Sequence, residues 1–125
     1  MMTENEAYTL SIILNFSHEI DLSQVNESLF LDDFSRKVFR AARAVIEAGG
    51  LPEAAELYQM DKTIDAPRLI KFYSLAPTAA NFPYYLKQLR EAKFAEDLRQ
   101  ALLKADTLLK GNKPAEAFQV LTEIE

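Results

Sequence analysis

Apolar residues recur at steps of three and four along almost the whole chain, and polar residues fill the positions between them. This spacing puts apolar side chains on one face of a helix, whereas the alternation typical of a half-buried strand is nearly absent. The pattern predicts helices over about residues 4–15, 22–28, 33–48, 52–60, 65–75 and 82–110, and another from 114 onward. The fold class is therefore all-α, a small orthogonal helical bundle followed by a long helix and an antiparallel helical hairpin.

Residues with strong preferences for helix ends support these boundaries. Thr3 followed by Glu6 matches a capping box at the start of the first helix. Gly49 and Gly50 end the 33–48 helix, because glycine tolerates the left-handed conformation past a helix end. Prolines suit the first turn of a helix and stand near several predicted starts, at Pro52, Pro67, Pro83 and Pro114.

The aromatic side chains stand at helical core spacing, and we expect them to pack in the core rather than to form a ligand site. They are Phe16, Phe30, Phe34, Phe39, Phe72, Tyr73 and Phe82. In the last helix the spacing turns Ala117, either Val120 or Leu121, and Ile124 inward.

The 82–110 segment has no helix breaker before Gly111. A helix of this length is roughly 43 Å long at about 1.5 Å per residue, which exceeds what so small a core needs. We therefore expect a globular helical subdomain over 1–96 and a helical hairpin over 97–125 that continues past the given end in a longer protein. One apolar row on the hairpin is predicted to carry self-association, at Leu98, Leu102, Leu109, Phe118, Leu121 and Ile124.

Charge is distributed unevenly over the 125 residues, which carry 19 acids, 14 Lys and Arg and a net charge of −5. No Lys or Arg precedes Arg36, so the acids before it form either a solvated acidic face or a docking surface for a basic partner. The net charge opposes direct DNA binding, which we expect to be weak or absent. The basic residues that could favour it form two sets, Arg36, Lys37, Arg40 and Arg43, and Lys87, Arg90, Lys93 and Arg99.

The sequence contains no recognisable catalytic, zinc-binding or phosphate-binding motif. There is no cysteine, and His18 is the only histidine, so no thiolate zinc set and no conventional nucleophile–base pair is indicated. The chain has only 3 glycines and lacks a phosphate-binding loop. Neighbouring acids at 32–33 and 96–97 fit helix capping and ion pairing. We predict no catalytic, cofactor-binding or metal site, no membrane span, no secretory signal and a cytoplasmic location.

The segment Ala76-Pro77-Thr78-Ala79-Ala80-Asn81, followed by Tyr85, Leu89-Arg90-Glu91 and Phe94, resembles a stretch in the N-terminal domain of DnaB-type replicative DNA helicases. Further landmarks are similar in the same order and cover most of the chain. They are Glu6-Ala7 with Leu10 and Leu14, then Leu29-Phe30-Leu31-Asp32-Asp33-Phe34, then Val38-Phe39 through Gly49.

The resemblance implies a helical subdomain with a dimerising hairpin, whose copies form a collar in a hexameric ring and bind primase. It implies that ATP and Mg²⁺ belong to a separate C-terminal ATPase domain, so that this fragment needs no cofactor and is not itself an enzyme. The alternatives are the helicase-binding C-terminal domain of a primase, which has a related fold, and a helical adaptor unrelated to replication. An enzyme with an unrecognised site would require a deep pocket lined by perturbed carboxylates.

Overall fold

Helix α1 spans Glu4–Phe16 and begins where the sequence predicts it, in a computed structural model that describes residues 2–124. The Thr3 hydroxyl oxygen accepts the N–H of Glu6 at 3.2 Å, and the Glu6 carboxylate accepts the N–H of Thr3 at 3.2 Å. The predicted capping box is therefore confirmed. Because α1 is buried around most of its circumference, through Leu10, Ile12 and Ile13, it is the central helix of the bundle.

The predicted helix over 22–28 is wrong. Two 3-10 turns, Leu22–Gln24 and Glu27–Leu29, occupy this segment, after another at Ser17–Glu19. The carboxylate of Asp21 accepts the N–H of Ser23 at 3.0 Å, and the side-chain oxygen of Asn26 accepts the N–H of Ser28 at 2.8 Å. These side chains compete with helical hydrogen bonding and turn the chain twice, although the apolar spacing resembles that of a helix.

Helices α2 (Asp33–Glu47), α3 (Ala54–Met60) and α4 (Ala66–Phe72) complete the bundle with α1. Gly49 has a φ of 86° and ends α2, with the N–H of Gly50 donating to the Val45 carbonyl at 2.9 Å, as the glycine pair predicts. The expectation for Pro52 is wrong by two residues, since α3 starts after Glu53 at its N-cap. Helix α1 contacts α2 and α4, and α3 contacts α2 and α4.

The predicted aromatic core is confirmed. The rings of Phe30 and Phe39 lie 5.2 Å apart in the interior, and those of Phe34 and Phe72 stack at 5.8 Å. The other predicted aromatic residues are buried or pack against this core. Burying such side chains is the main source of stability for a bundle of short helices.

Helix α5 spans Phe82–Lys110, and α6 spans Pro114–Thr122, so the long helix and the final helix are confirmed. Residues 2–124 contain no strand, and the all-α prediction is correct. The chain divides into two compact units, Met1–Leu89 and Arg90–Glu125. The functional division into subdomains 1–96 and 97–125 stays a prediction. None of the helices in the described chain is long and apolar enough to cross a membrane.

Candidate functional site

The turn between α5 and α6 reverses the chain within three residues, Gly111, Asn112 and Lys113. Asn112 adopts the left-handed conformation with a φ of 64°. The N–H of Lys113 donates to the Leu108 carbonyl at 2.9 Å, and the N–H of Asn112 donates to the Leu109 carbonyl at 3.0 Å. This hydrogen-bond pair closes the end of α5 and directs the chain into α6. The predicted turn is present, and an asparagine takes the position that glycine most often holds.

The buried apolar side chains of the hairpin are small. Ala105 of α5 and Ala117 of α6 are the buried apolar residues of the second unit, at 4% and 3% exposure. Alanine at such positions lets two helix backbones approach closely. Of the predicted inward pair, Val120 is half-buried and lines the clefts between the arms, whereas Leu121 is exposed.

Most of the row predicted for self-association is exposed. Leu102 is 53% exposed and Phe118 is 69% exposed, and only Ile124 is partly buried, in a cleft that it shares with Ala101 and Val120. The exposed members, Leu98, Leu102, Leu109, Phe118 and Leu121, are called the hairpin row below. Phe94 is also exposed and stands one helical turn before Leu98, so it extends the row. The sequence prediction missed it, although its spacing of four residues was a usable signal.

Helical periodicity places the hairpin row on one side of the hairpin. A polar cleft on the other side is lined by Lys104 and Leu108 of α5 and by Glu116 and Gln119 of α6, together with Val120 and Glu123. At 3.6 residues per turn, these cleft residues lie roughly 100° or more around each helix from the row. The second unit therefore presents one apolar side and one polar side.

An exposed apolar side of this kind is suited to association. Scattered surface leucines are common, but a contiguous row on two helices marks a contact surface more often than an ordinary surface. Burying one such leucine or phenylalanine contributes roughly 1.5–3 kcal/mol. The arrangement can bind another protein surface, and it offers no group for covalent chemistry.

The arginines of the first basic set are engaged within their own unit. Arg36 donates to Asp33 and to the Phe30 carbonyl, and Arg40 forms a two-point ion pair with Glu27. The pKa of Glu27 is lowered, first by its hydrogen bond with Arg40. The early acids therefore serve the fold, as caps and ion-pair partners, rather than forming only a solvated face. Arginines held in this way are poorly placed to follow a phosphate backbone.

The second basic set also includes ion pairs within its own helix. Lys93 donates to Asp97 at 2.9 Å, and Arg99 pairs with Glu96. The pKa of Glu96 is lowered, first by the hydrogen bond from Gln100 and further by the nearby charge of Arg99. A lowered pKa is the opposite of what a general acid needs at neutral pH. These carboxylates therefore have the role of ion-pair partners that their spacing predicts.

His18 lies on the surface in the Ser17–Glu19 turn, with its ring 3.7 Å from the Glu19 carboxylate. Between residues 2 and 124, no cluster of His, Asp and Glu has the arrangement of a metal site.

The structure resembles a solved protein domain along almost its whole length. The crystal structure of the N-terminal domain of DnaB helicase from Mycobacterium tuberculosis matches 96% of this chain and 95% of its own, with a TM-score of 0.83 and 18% sequence identity. No protein-family model matches the sequence. Comparison with curated proteins also gives no match. The resemblance inferred from the 76–91 segment is thus confirmed in three dimensions, and this chain has the fold of the N-terminal domain of DnaB helicase.

Proposed function

We propose that the chain is the N-terminal domain of a replicative DNA helicase, which joins helicase subunits through its hairpin and docks primase. The shared fold with the DnaB domain over nearly the full length supports the first part of this proposal. The exposed hairpin row supports the second, because it provides an apolar side that a partner copy can cover. In this role the domain catalyses nothing itself, acts in the cytoplasm, and binds DNA weakly or not at all.

The hairpin row is the single observation on which the assembly proposal depends. In a symmetric dimer each residue of the row is buried twice, once in each copy, so a single charge substitution acts twice. Placing a carboxylate in such an interface costs several kcal/mol, because the charge loses its hydration without gaining a partner.

Light scattering over a range of concentrations tests assembly, with Leu102→Glu as the main variant. Leu103→Glu is the matched control, since Leu103 is its neighbour, is similarly exposed at 60% against 53%, and lies well to the side of the row. We expect the wild type and Leu103→Glu to associate and Leu102→Glu to remain monomeric. A wild-type chain that stays monomeric, or equal effects of the two substitutions, contradicts assembly through this row.

Primase docking is tested by titrating the chain with the purified helicase-binding domain of a bacterial primase in a calorimeter. Binding to that domain supports the helicase role. Binding to a DnaB-type helicase instead supports the alternative, in which the chain is a primase C-terminal domain, because the helicase is the partner of that domain. Binding to neither protein favours a helical adaptor outside replication.

A further inference from the structure

A groove in the first unit combines an apolar depression with a charged rim, as a peptide-binding site does. It lies where α2 meets the end of α3 and has a volume of about 240 Å³. This volume is below the roughly 300–1,000 Å³ of typical small-molecule pockets, and it suits one or two protruding side chains. The α2–α3 groove is lined by Lys37, Arg40, Ala41, Ala44, Met60 and Asp61.

The apolar part of the groove is built to accept a bulky side chain. Ala41 and Ala44 leave a shallow depression on α2, and Met60 stands beside it with 55% of its surface exposed. A methionine thioether is flexible and polarizable, so it adapts to the shape of an incoming apolar group. An exposed methionine next to small residues is more consistent with a contact surface than with a completed core.

The charged residues at the rim of the groove differ in whether they already have hydrogen-bond or ion-pair partners. Arg40 is held by Glu27, and Asp61 accepts the N–H and the hydroxyl of Thr63 at 2.9 and 2.6 Å. The pKa of Asp61 is lowered first by its hydrogen bonds from Thr63 and further by the nearby charge of Lys37. Lys37 itself makes no hydrogen bond or ion pair with any residue of the described chain. Its ammonium group is therefore the cation at this rim that remains available to a partner.

We propose that the α2–α3 groove docks a partner peptide that places one aliphatic side chain against Ala44 and Met60 and one carboxylate at Lys37. The single available cation matches a single carboxylate. A nucleic acid would instead bring a row of phosphates toward Glu27 and Asp61, which repel them. This inference is independent of the proposed assembly through the hairpin, because all groove residues belong to the first unit.

The probe is a short fluorescent peptide with a central leucine and a single neighbouring glutamate, titrated into the full chain and followed by anisotropy and by amide NMR spectra. We expect saturable binding, with shifts confined to residues 37–44 and 60–61. Replacing the leucine by serine should abolish binding. Lys37→Glu should weaken it about tenfold, because a like charge then faces the carboxylate. Ala44→Phe fills the groove and should weaken it comparably.

Lys62→Glu is the matched control, because Lys62 is exposed nearby, makes the same charge change and does not line the groove. It should leave affinity within about twofold. Equal losses for Lys37→Glu and Lys62→Glu overturn the proposal, since they mean unspecific attraction. The proposal is also overturned if the peptide does not bind at millimolar concentration or shifts residues elsewhere. It is likewise overturned if a single-stranded oligonucleotide gives the same shifts, or if the groove residues shift with protein concentration in the absence of peptide.

Discussion

The carboxylate of Glu6 accepts the backbone N–H of Leu31 at 2.6 Å, joining the first turn of α1 to the residue before the N-cap of α2. Glu6 is 2% exposed and also accepts the N–H groups of Thr3 and, at 3.4 Å, of Asp32. A buried carboxylate is stable when several N–H donors replace its hydration. Glu6 therefore caps one helix and positions the start of another.

Glu6→Ala should lower the free energy of unfolding by about 2–3 kcal/mol, since it removes the capping box and leaves the Leu31 amide without its acceptor. Glu4→Ala is the control, because Glu4 is an exposed acid in the same first turn and feels the same helix dipole. Urea unfolding followed by circular dichroism measures both variants. Equal midpoints for the two variants would show that Glu6 acts only through the dipole.

Two fully buried serines provide a paired prediction. The Ser11 hydroxyl donates to the Phe72 carbonyl and accepts the N–H of Ala76 at 3.0 Å, so it fixes the end of α4 to α1. Ser11→Ala should cost about 1–3 kcal/mol, because the Ala76 N–H loses its acceptor and the Phe72 carbonyl keeps only the N–H of Leu75, at 3.3 Å. The Ser35 hydroxyl is buried and finds no hydrogen-bond partner among residues 2–124, so Ser35→Ala should be neutral or stabilising. Urea unfolding of the two variants measures these changes. A larger loss of stability for Ser35→Ala than for Ser11→Ala contradicts the prediction.

Local rules predicted the features that depend on neighbouring residues. The capping box at Thr3 and the glycine end of α2 require only a few adjacent positions, and both are present. The 22–28 segment shows the limit of such rules, because the side chains of Asp21 and Asn26 form turns that the apolar spacing does not reveal.

Long-range pairings could not be predicted from the chain, since nothing local connects Glu6 with Leu31 or Glu27 with Arg40. The candidate site was only partly predictable, because it depends on both local spacing and long-range packing. Spacing identified the apolar row, but whether Val120 or Leu121 faces the other arm depends on the hairpin geometry.

Tyr73 should make stability depend on alkaline pH. Its hydroxyl donates to the Pro52 carbonyl at 2.6 Å, and burial, with the nearby charge of Glu53, raises its pKa from 10.0 to about 12. The unfolded tyrosine therefore ionises first, so the stabilisation is complete below pH 10 and is lost as pH rises toward 12. Tyr73→Phe should have a free energy of unfolding about 1 kcal/mol lower than that of the wild type at pH 8, and this difference should shrink above pH 10.

Urea unfolding of the wild type and Tyr73→Phe between pH 8 and 12 measures that difference directly. Comparing the two proteins cancels the titration of the other groups, which they share. Tyr58→Phe is the control for removing a tyrosine hydroxyl, because Tyr58 is exposed. A gap between wild type and Tyr73→Phe that stays constant up to pH 12 would contradict the role of Tyr73.

Phe118 and Ala105 should separate assembly from folding within the hairpin. Phe118 is 69% exposed, so Phe118→Ser should change monomer stability by no more than about 0.5 kcal/mol while weakening self-association by about 2 kcal/mol per copy. Ala105 is buried, with 4% of its surface exposed, so Ala105→Leu should cost about 1–3 kcal/mol of folding free energy because the larger side chain overpacks its site. Sedimentation equilibrium and urea unfolding of both variants measure the two quantities. The hairpin row would lose its role if Phe118→Ser destabilised the monomer as much as Ala105→Leu, because the phenylalanine would then be a residue of the fold rather than of an interface.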